Sequence, residues 1–229
     1  MTVAVEAGAD PERLQRGSIS VDSLNFILER IDRIDAIDRG PGLHVGNYAG
    51  VSLAYLAAHT DGLVVGVDPN VSRWGATKGQ DVVVRVLQAA GLEERVLLVC
   101  GYTLERNPNY NGRVTDGYDP SVEYRNEAAP IQVLGNLRAL GIQFGWVLLD
   151  GNHDGAYVRA ELEQLESLLA ADALVLLDDC TPAWPGVRAV FDDPPAGWQP
   201  DGHNGRIGVL RRTGPGGSAS GQSQPQVVP

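Results

Sequence analysis

The chain has 229 residues, enough for one sizeable domain and too few for two large ones, so a single hydrophobic core has to carry the function. Its 18 Lys+Arg against 29 Asp+Glu leave a formal net charge of -11, an excess that repels a phosphate backbone and excludes nucleic acid as an expected partner. No apolar run approaches the roughly 20 residues needed to span a bilayer, and the N-terminal stretch with Glu6, Asp10 and Glu12 lacks the basic start and apolar centre of a secretory signal; a soluble, cytoplasmic protein with no membrane partner is expected. The two cysteines, Cys100 and Cys180, have no CxxC or Cys/His spacing, so neither a disulfide framework nor a zinc site is indicated.

Ser23 to Asp38 places Leu24, Ile27, Leu28, Ile31 and Ile34 on one side and Glu29, Arg30, Asp32 and Arg33 on the other. This is the stripe of an amphipathic helix that packs on the sheet or on a partner chain, and it makes a homodimer a default expectation. From about residue 40, apolar runs alternate with helix-period segments, the sequence form of a doubly wound α/β fold with a parallel sheet covered on both faces. Strands are expected over Gly42–Gly46, Leu63–Asp68, Val96–Gly101, Gly145–Asp150 and Ala173–Asp179. Helices are expected over Val51–His59, Asp81–Ala90 and Ile131–Leu140, and after Asp154 as N-cap, where Val158, Leu162, Leu165 and Leu169 form a buried stripe. Residues 103 to 130 interrupt the rhythm with turn chemistry and read as a lid or substrate loop. A short helix around Val187–Phe191, a turn at Asp201-Gly202 and a final strand Arg206–Leu210 follow. The expected organisation is a helical segment over 1–39, a catalytic domain over 40–212 and a disordered tail over 213–229.

Ligands of open parallel sheets bind at the carboxyl ends of the strands. The first strand ends in Gly46-Asn47-Tyr48-Ala49-Gly50-Val51-Ser52, where two glycines permit a tight turn and close backbone approach. The pattern is G-x-x-x-G, neither the dinucleotide fingerprint nor a P-loop, so phosphate binding is disfavoured. Asp68, at the end of the second strand, stands where a carboxylate accepts both hydroxyls of a ribose. A ribosyl cofactor without a pyrophosphate fits this pair of features.

These residues resemble a known family. The segments from His44 to Ser52, from Val64 to Pro69 and from Val147 to His153 look like those of class I S-adenosylmethionine-dependent methyltransferases. Leu176-Leu177-Asp178-Asp179 with Pro185-Gly186-Val187 narrows the match toward metal-dependent small-molecule O-methyltransferases of the macrocin type. The resemblance covers roughly residues 40 to 210 and implies a Rossmann-like seven-stranded sheet, mostly parallel with an antiparallel last strand. It also implies S-adenosylmethionine as cofactor: Gly46, Asn47, Tyr48, Gly50 and Ser52 around its methionine part, Asp68 on its ribose, Gly101 and Tyr102 bordering its adenine, and Asp150 nearby. Two positions depart from the family. His44 replaces an acid two residues before the first glycine, and Asn152 replaces an acid two residues after Asp150, which leaves His153 as the candidate base.

Asp150, Asp178 and Asp179 close neighbouring strands, and three converging carboxylates repel one another unless a cation joins them. A hard divalent ion such as Mg²⁺ resolves the conflict and acidifies a bound substrate hydroxyl, whose proton His153 then accepts. The expected reaction is methyl transfer to a hydroxyl of a small-molecule acceptor, a sugar or a phenol of secondary metabolism. Metal-independent transfer to nitrogen or carbon and a non-catalytic cofactor-binding module are the alternatives. Adjacent aspartates on a strand also point to opposite faces, so Asp178 and Asp179 are alternatively a solvated strand-end pair, and His153 is alternatively a scaffold residue. In the lid, Tyr110, Tyr118 and Tyr124 with Tyr102 form either an aromatic wall or the loop's own packing core. There Arg106, Arg113 and Arg125 pair either with an anionic substrate or with the loop's acids.

Overall fold

The computed structural model describes residues 1–35, 39–69, 79–104 and 133–213. The expected lid beyond Leu104 and the expected tail beyond Thr213 lie outside the described residues. Seven strands form one sheet in the order β3-β2-β1-β4-β5-β7-β6: β1 (Gly42–Val45), β2 (Val64–Asp68), β3 (Val96–Cys100), β4 (Phe144–Leu149), β5 (Leu169–Leu177), β6 (Trp198–His203) and β7 (Gly208–Arg212). β1 to β5 are parallel, and β7 runs antiparallel to both of its neighbours, β5 and β6. The uninterrupted apolar runs of β4 and the second half of β5 follow from burial on both faces, because successive side chains point to opposite sides.

On one face Leu43, Val45, Val65, Val147, Leu149, Val175 and Leu177 pack under α6 (Val133–Ala139), α7 (Gly155–Leu165) and α8 (Pro185–Asp192). On the other, Trp146, Leu148, Leu174, Leu176 and Val209 pack under α3 (Val21–Ile31), α4 (Val51–His59) and α5 (Gly79–Ala90). α3 is the amphipathic helix expected from the sequence, N-capped by Ser20, whose Oγ accepts from Ser23 N. Its Leu24, Ile27 and Ile31 are buried within this chain, each burial stabilising by about 1.5–3 kcal/mol. The apolar stripe that the sequence assigned to the sheet or to a partner is therefore covered by the sheet.

Several boundaries differ from the sequence reading: α3 ends at Ile31, and Leu169, expected in the helical stripe after Asp154, instead opens β5 because α7 ends at Leu165. α1 (Thr2–Glu6) and α2 (Pro11–Gly17) were not expected; at five and seven residues they are too short to display a helical period. They fold because Ala4, Ala9 and Leu14 cover Ala49 and Val82 in a small separate core. Asp201-Gly202 is no turn but lies inside β6, an edge strand that tolerates Pro200 and a register shift beside it. The reversal falls instead at residues 204–207, where Asn204 Oδ1 accepts from Arg206 N and Ile207 N.

Candidate functional site

The chain leaves β1 at Gly46, whose φ of 87° and position allow no side chain: a Cβ there would stand 2.0 Å from the Asp150 carbonyl oxygen. Tyr48 is also held at positive φ, 45°, and Gly50 at φ 77° caps α4. Strain of this kind persists only where surroundings fix it, and Asp68 supplies the fixation. Its Oδ2 accepts from Asn47 N at 2.9 Å and Tyr48 N at 3.2 Å, while its backbone oxygen accepts from Gly101 N. The carboxylate and the backbone carbonyl of one residue thus tie together the ends of β1, β2 and β3. The Tyr102 carbonyl accepts from Val133 N, which anchors the start of α6 beside the same edge.

Beneath the turn, His44 is fully buried and its Nε2 lies 3.0 Å from Ser52 Oγ. Burial pushes its pKa down to about 4, with Asp178 opposing, so the ring is neutral near pH 7. Ser52 therefore meets a neutral imidazole inside the protein. Asn47 is 5% exposed, and its side-chain amide lies over Gly66, on the sheet side of the turn and beside His44. Asn47 and Asp68 stand with Gly46 at the carboxyl ends of β1 and β2, the edge at which open α/β sheets bind their ligands.

The three aspartates do come together. The Asp150 carboxyl is pushed well above its ordinary range by burial and then by Asp178, to which it is hydrogen-bonded, and by Asp179. The cation among them is a guanidinium that the sequence reading missed. Arg206 donates Nε to Asp178 Oδ1 and Nη2 to Asp178 Oδ2, both at 2.7 Å, and its Nε lies 3.6 Å from Asp179 Oδ1. Those contacts hold Arg206 protonated, its pKa raised chiefly by the bond to Asp178. β7 runs antiparallel beside β5, so the turn before β7 reaches the carboxyl end of β5; that topology is the signal by which Arg206 is identifiable.

A hard divalent ion needs ionised oxygens with free lone pairs and room for several waters. Here both Asp178 oxygens are engaged by the fork, the Asp178 side chain is fully buried, and Asp150 favours its neutral form. Among the described residues no group of three His, Cys, Asp or Glu side chains is arranged to hold a metal. The donor set expected for Mg²⁺, Asp150, Asp178 and Asp179, does not fit that ion as arranged, because the guanidinium already neutralises it. The picture of a solvated strand-end pair fails equally for Asp178, which is 1% exposed.

His153 follows β4 and stands with Nε2 3.5 Å from Asp179 Oδ2. Its ring lies 4.4 Å from that of Trp184, tilted by 33°. Asp179 sits at φ 52°, a backbone state rare outside glycine, which turns its carboxylate toward His153 and Arg206. Gly186 packs against the backbone of the same segment: a Cβ there would come 2.6 Å from the His153 carbonyl oxygen and 2.7 Å from Gly155 N. Asp154 caps α7, accepting from Ala156 N and Tyr157 N, as the sequence reading expected. Trp184, like Arg206, had no signal of its own, since it sits in a proline-flanked turn outside any apolar period.

Behind Tyr102, the Thr103 hydroxyl donates to Glu161 Oε1 and lies 3.1 Å from the Tyr157 hydroxyl. Glu161 is 1% exposed, and burial pushes its pKa up to about 8.

The chain matches the family model described as "Methyltransferase domain" over residues 43–180. Its fold is similar to that of the O-methyltransferase TomG from Streptomyces achromogenes, involved in tomaymycin synthesis and solved with S-adenosylmethionine. Identity is 15%, coverage is 93% of this chain and 91% of that one, and the TM-score is 0.57. An O-methyltransferase from Bacillus cereus in complex with S-adenosylhomocysteine is similar at 15% identity, 92% and 90% coverage and TM-score 0.54. A methyltransferase from Geobacter sulfurreducens is similar at 15% identity, 93% and 89% coverage and TM-score 0.56. No curated protein matches the sequence.

Proposed function

The chain belongs to the methyltransferase-domain family and has the class I S-adenosylmethionine-dependent fold, and from that premise we propose that it moves a methyl group from S-adenosylmethionine to a hydroxyl of a small molecule. The observation that carries the oxygen acceptor is the His153–Asp179 pair, Nε2 to Oδ2 3.5 Å, standing at the strand ends beside the glycine turn. S-adenosylmethionine supplies a sulfonium whose methyl carbon is electrophilic. Asn47 and Asp68 hold its amino-acid and ribose ends, and Gly101 and Tyr102 border its adenine. His153, oriented by Asp179 and Trp184, takes the acceptor's hydroxyl proton as the oxygen lone pair forms the new O–CH₃ bond. The S–CH₃ bond breaks with its electron pair left on sulfur, giving the neutral thioether product.

A biosynthetic small molecule as acceptor is supported by likeness to TomG, an O-methyltransferase of tomaymycin synthesis. A cytoplasmic setting accords with the absence, among the described residues, of a helix long and apolar enough to cross a membrane. A homodimer has to use a surface other than the apolar face of α3, which is buried within the chain. Calorimetry with S-adenosylmethionine, followed by S-adenosylhomocysteine release over a panel of phenols, sugars and amines, tests the reading. Saturable binding and release that depends on an added hydroxyl compound and falls in His153→Ala are expected. No binding, or release with amines alone, refutes it.

A further inference from the structure

We infer that Arg206 occupies the place a divalent cation would take among Asp150, Asp178 and Asp179, so that methyl transfer runs without a metal ion and selects a phenolic acceptor over a sugar alcohol. The inference deepens the reading above and rests on it for the position of the methyl donor.

The guanidinium is locked in position. Two bonds of 2.7 Å form a bidentate fork on a carboxylate with no solvent exposure, and Nη1 donates to the Ser18 carbonyl at 3.1 Å, just before α3. Its backbone is held as well: the carbonyl accepts from Cys180 N at 2.8 Å and the amide donates to Asn204 Oδ1 at 3.0 Å. A metal could enter only if Arg206 left, breaking the fork, the tie to the N-terminal segment and the charge balance of a buried carboxylate together.

Guanidinium and metal ion differ in what they do to an acceptor. A guanidinium has donors and no coordination position, so it neutralises the aspartates without coordinating a substrate oxygen or raising its acidity. The hydroxyl then enters with its own acidity. A phenol ionises near pH 10, whereas an alcohol stands near water's value of about 15.7, so their ionised fractions at neutral pH differ by about five to six powers of ten. Chelation of neighbouring hydroxyls by a shared ion is likewise not used, so the phenol needs no adjacent hydroxyl. The electron count is that of the transfer already described: the phenolic oxygen's pair makes the O–CH₃ bond, sulfur keeps the pair of the broken bond, and His153 receives the proton.

Mn²⁺ titration of the full chain, followed by electron paramagnetic resonance with and without S-adenosylhomocysteine, tests the exchange of cation. The parent is expected to show no saturable site at millimolar Mn²⁺. Arg206→Ala, and Arg206→Gln as the milder replacement, are expected to gain one site per chain that disappears when Asp178→Asn is added. A saturable site in the parent that Asp178→Asn removes overturns the inference, and so does a folded Arg206 variant that gains none. With chelator-treated parent, S-adenosylhomocysteine release is expected to be at least about 1,000-fold faster with phenols than with sugars; a sugar preference, or loss of release on chelation, overturns it. Failure of S-adenosylmethionine to bind would sink the proposed function and leave the Mn²⁺ result readable.

Discussion

Replacing Glu161 by glutamine removes a carboxyl that the fold buries with no cation against it among the described residues, while keeping an acceptor for the Thr103 hydroxyl. Glu161 is 1% exposed and its pKa rises from 4.5 to about 8 because burial disfavours the charge. A group whose pKa is raised by folding holds its proton more tightly in the folded state. Its stabilising contribution is therefore complete below about pH 4.5 and is lost as pH rises toward 8. At about 1.4 kcal/mol per tenfold, the parent loses about 4 kcal/mol relative to Glu161→Gln between pH 5 and pH 9. For a chain of this size that is about 8–16 °C in Tm. Urea unfolding of both proteins across that range measures it, and the difference between the two curves cancels every other titrating group. A difference that stays flat refutes the reasoning, since it would mean that water or a cation reaches Glu161. Thr103 follows Tyr102, at the head of the expected lid, so the same titration is expected to loosen S-adenosylhomocysteine binding above pH 8 in the parent and not in the variant.

Asp68→Ala removes an acceptor from Asn47 N and Tyr48 N as well as the carboxylate proposed to hold the ribose. At about 1.5–3 kcal/mol per charged hydrogen bond, calorimetry is expected to find S-adenosylhomocysteine bound about 10- to 150-fold more weakly. Gly186→Ala presses a methyl group on the His153 carbonyl, and turnover is expected to fall up to about 100-fold while cofactor affinity measured by calorimetry stays unchanged. Burial lowers the His44 pKa from 6.5 to about 4, so the unfolded chain binds the proton first. Stability measured by urea unfolding is then expected to fall by about 3 kcal/mol as pH drops through that interval.

Strand ends were legible because an apolar run that stops at an acid marks both the sheet and the edge where ligands bind. Asp68, Asp150 and the Asp178-Asp179 pair all sit where that pattern placed them. Asp154 was legible for a related reason, since a capping side chain acts on amides two and three residues away. Arg206 and Trp184 were not, because each acts across long separations in sequence that only the order of strands brings together. The β6 segment was misread as a turn because Asp-Gly carries the same local preference at an edge strand's irregularity as in a hairpin.

The sequence did pose the right electrostatic problem, three carboxylates at adjoining strand ends, and the fold determines which cation answers it. In a wholly parallel sheet every connection at the carboxyl edge belongs to a strand that ends there, and here β2, β4 and β5 end at acids. The antiparallel β7 reverses this, since it starts at that edge and brings the preceding turn with it. Asp178 lies on the same face of β5 as Leu174 and Leu176, and Ile207 and Val209 join them in one core. Arg206, one residue before Ile207, is thus held at the rim of that core, where its fork meets Asp178 and its remaining amino group reaches Ser18. A single side chain therefore balances the buried charge and fastens the N-terminal helices over the glycine turn. Removing a partner from such a buried pair costs about 3–5 kcal/mol, and exchange for an ion from solution would also release that N-terminal tie.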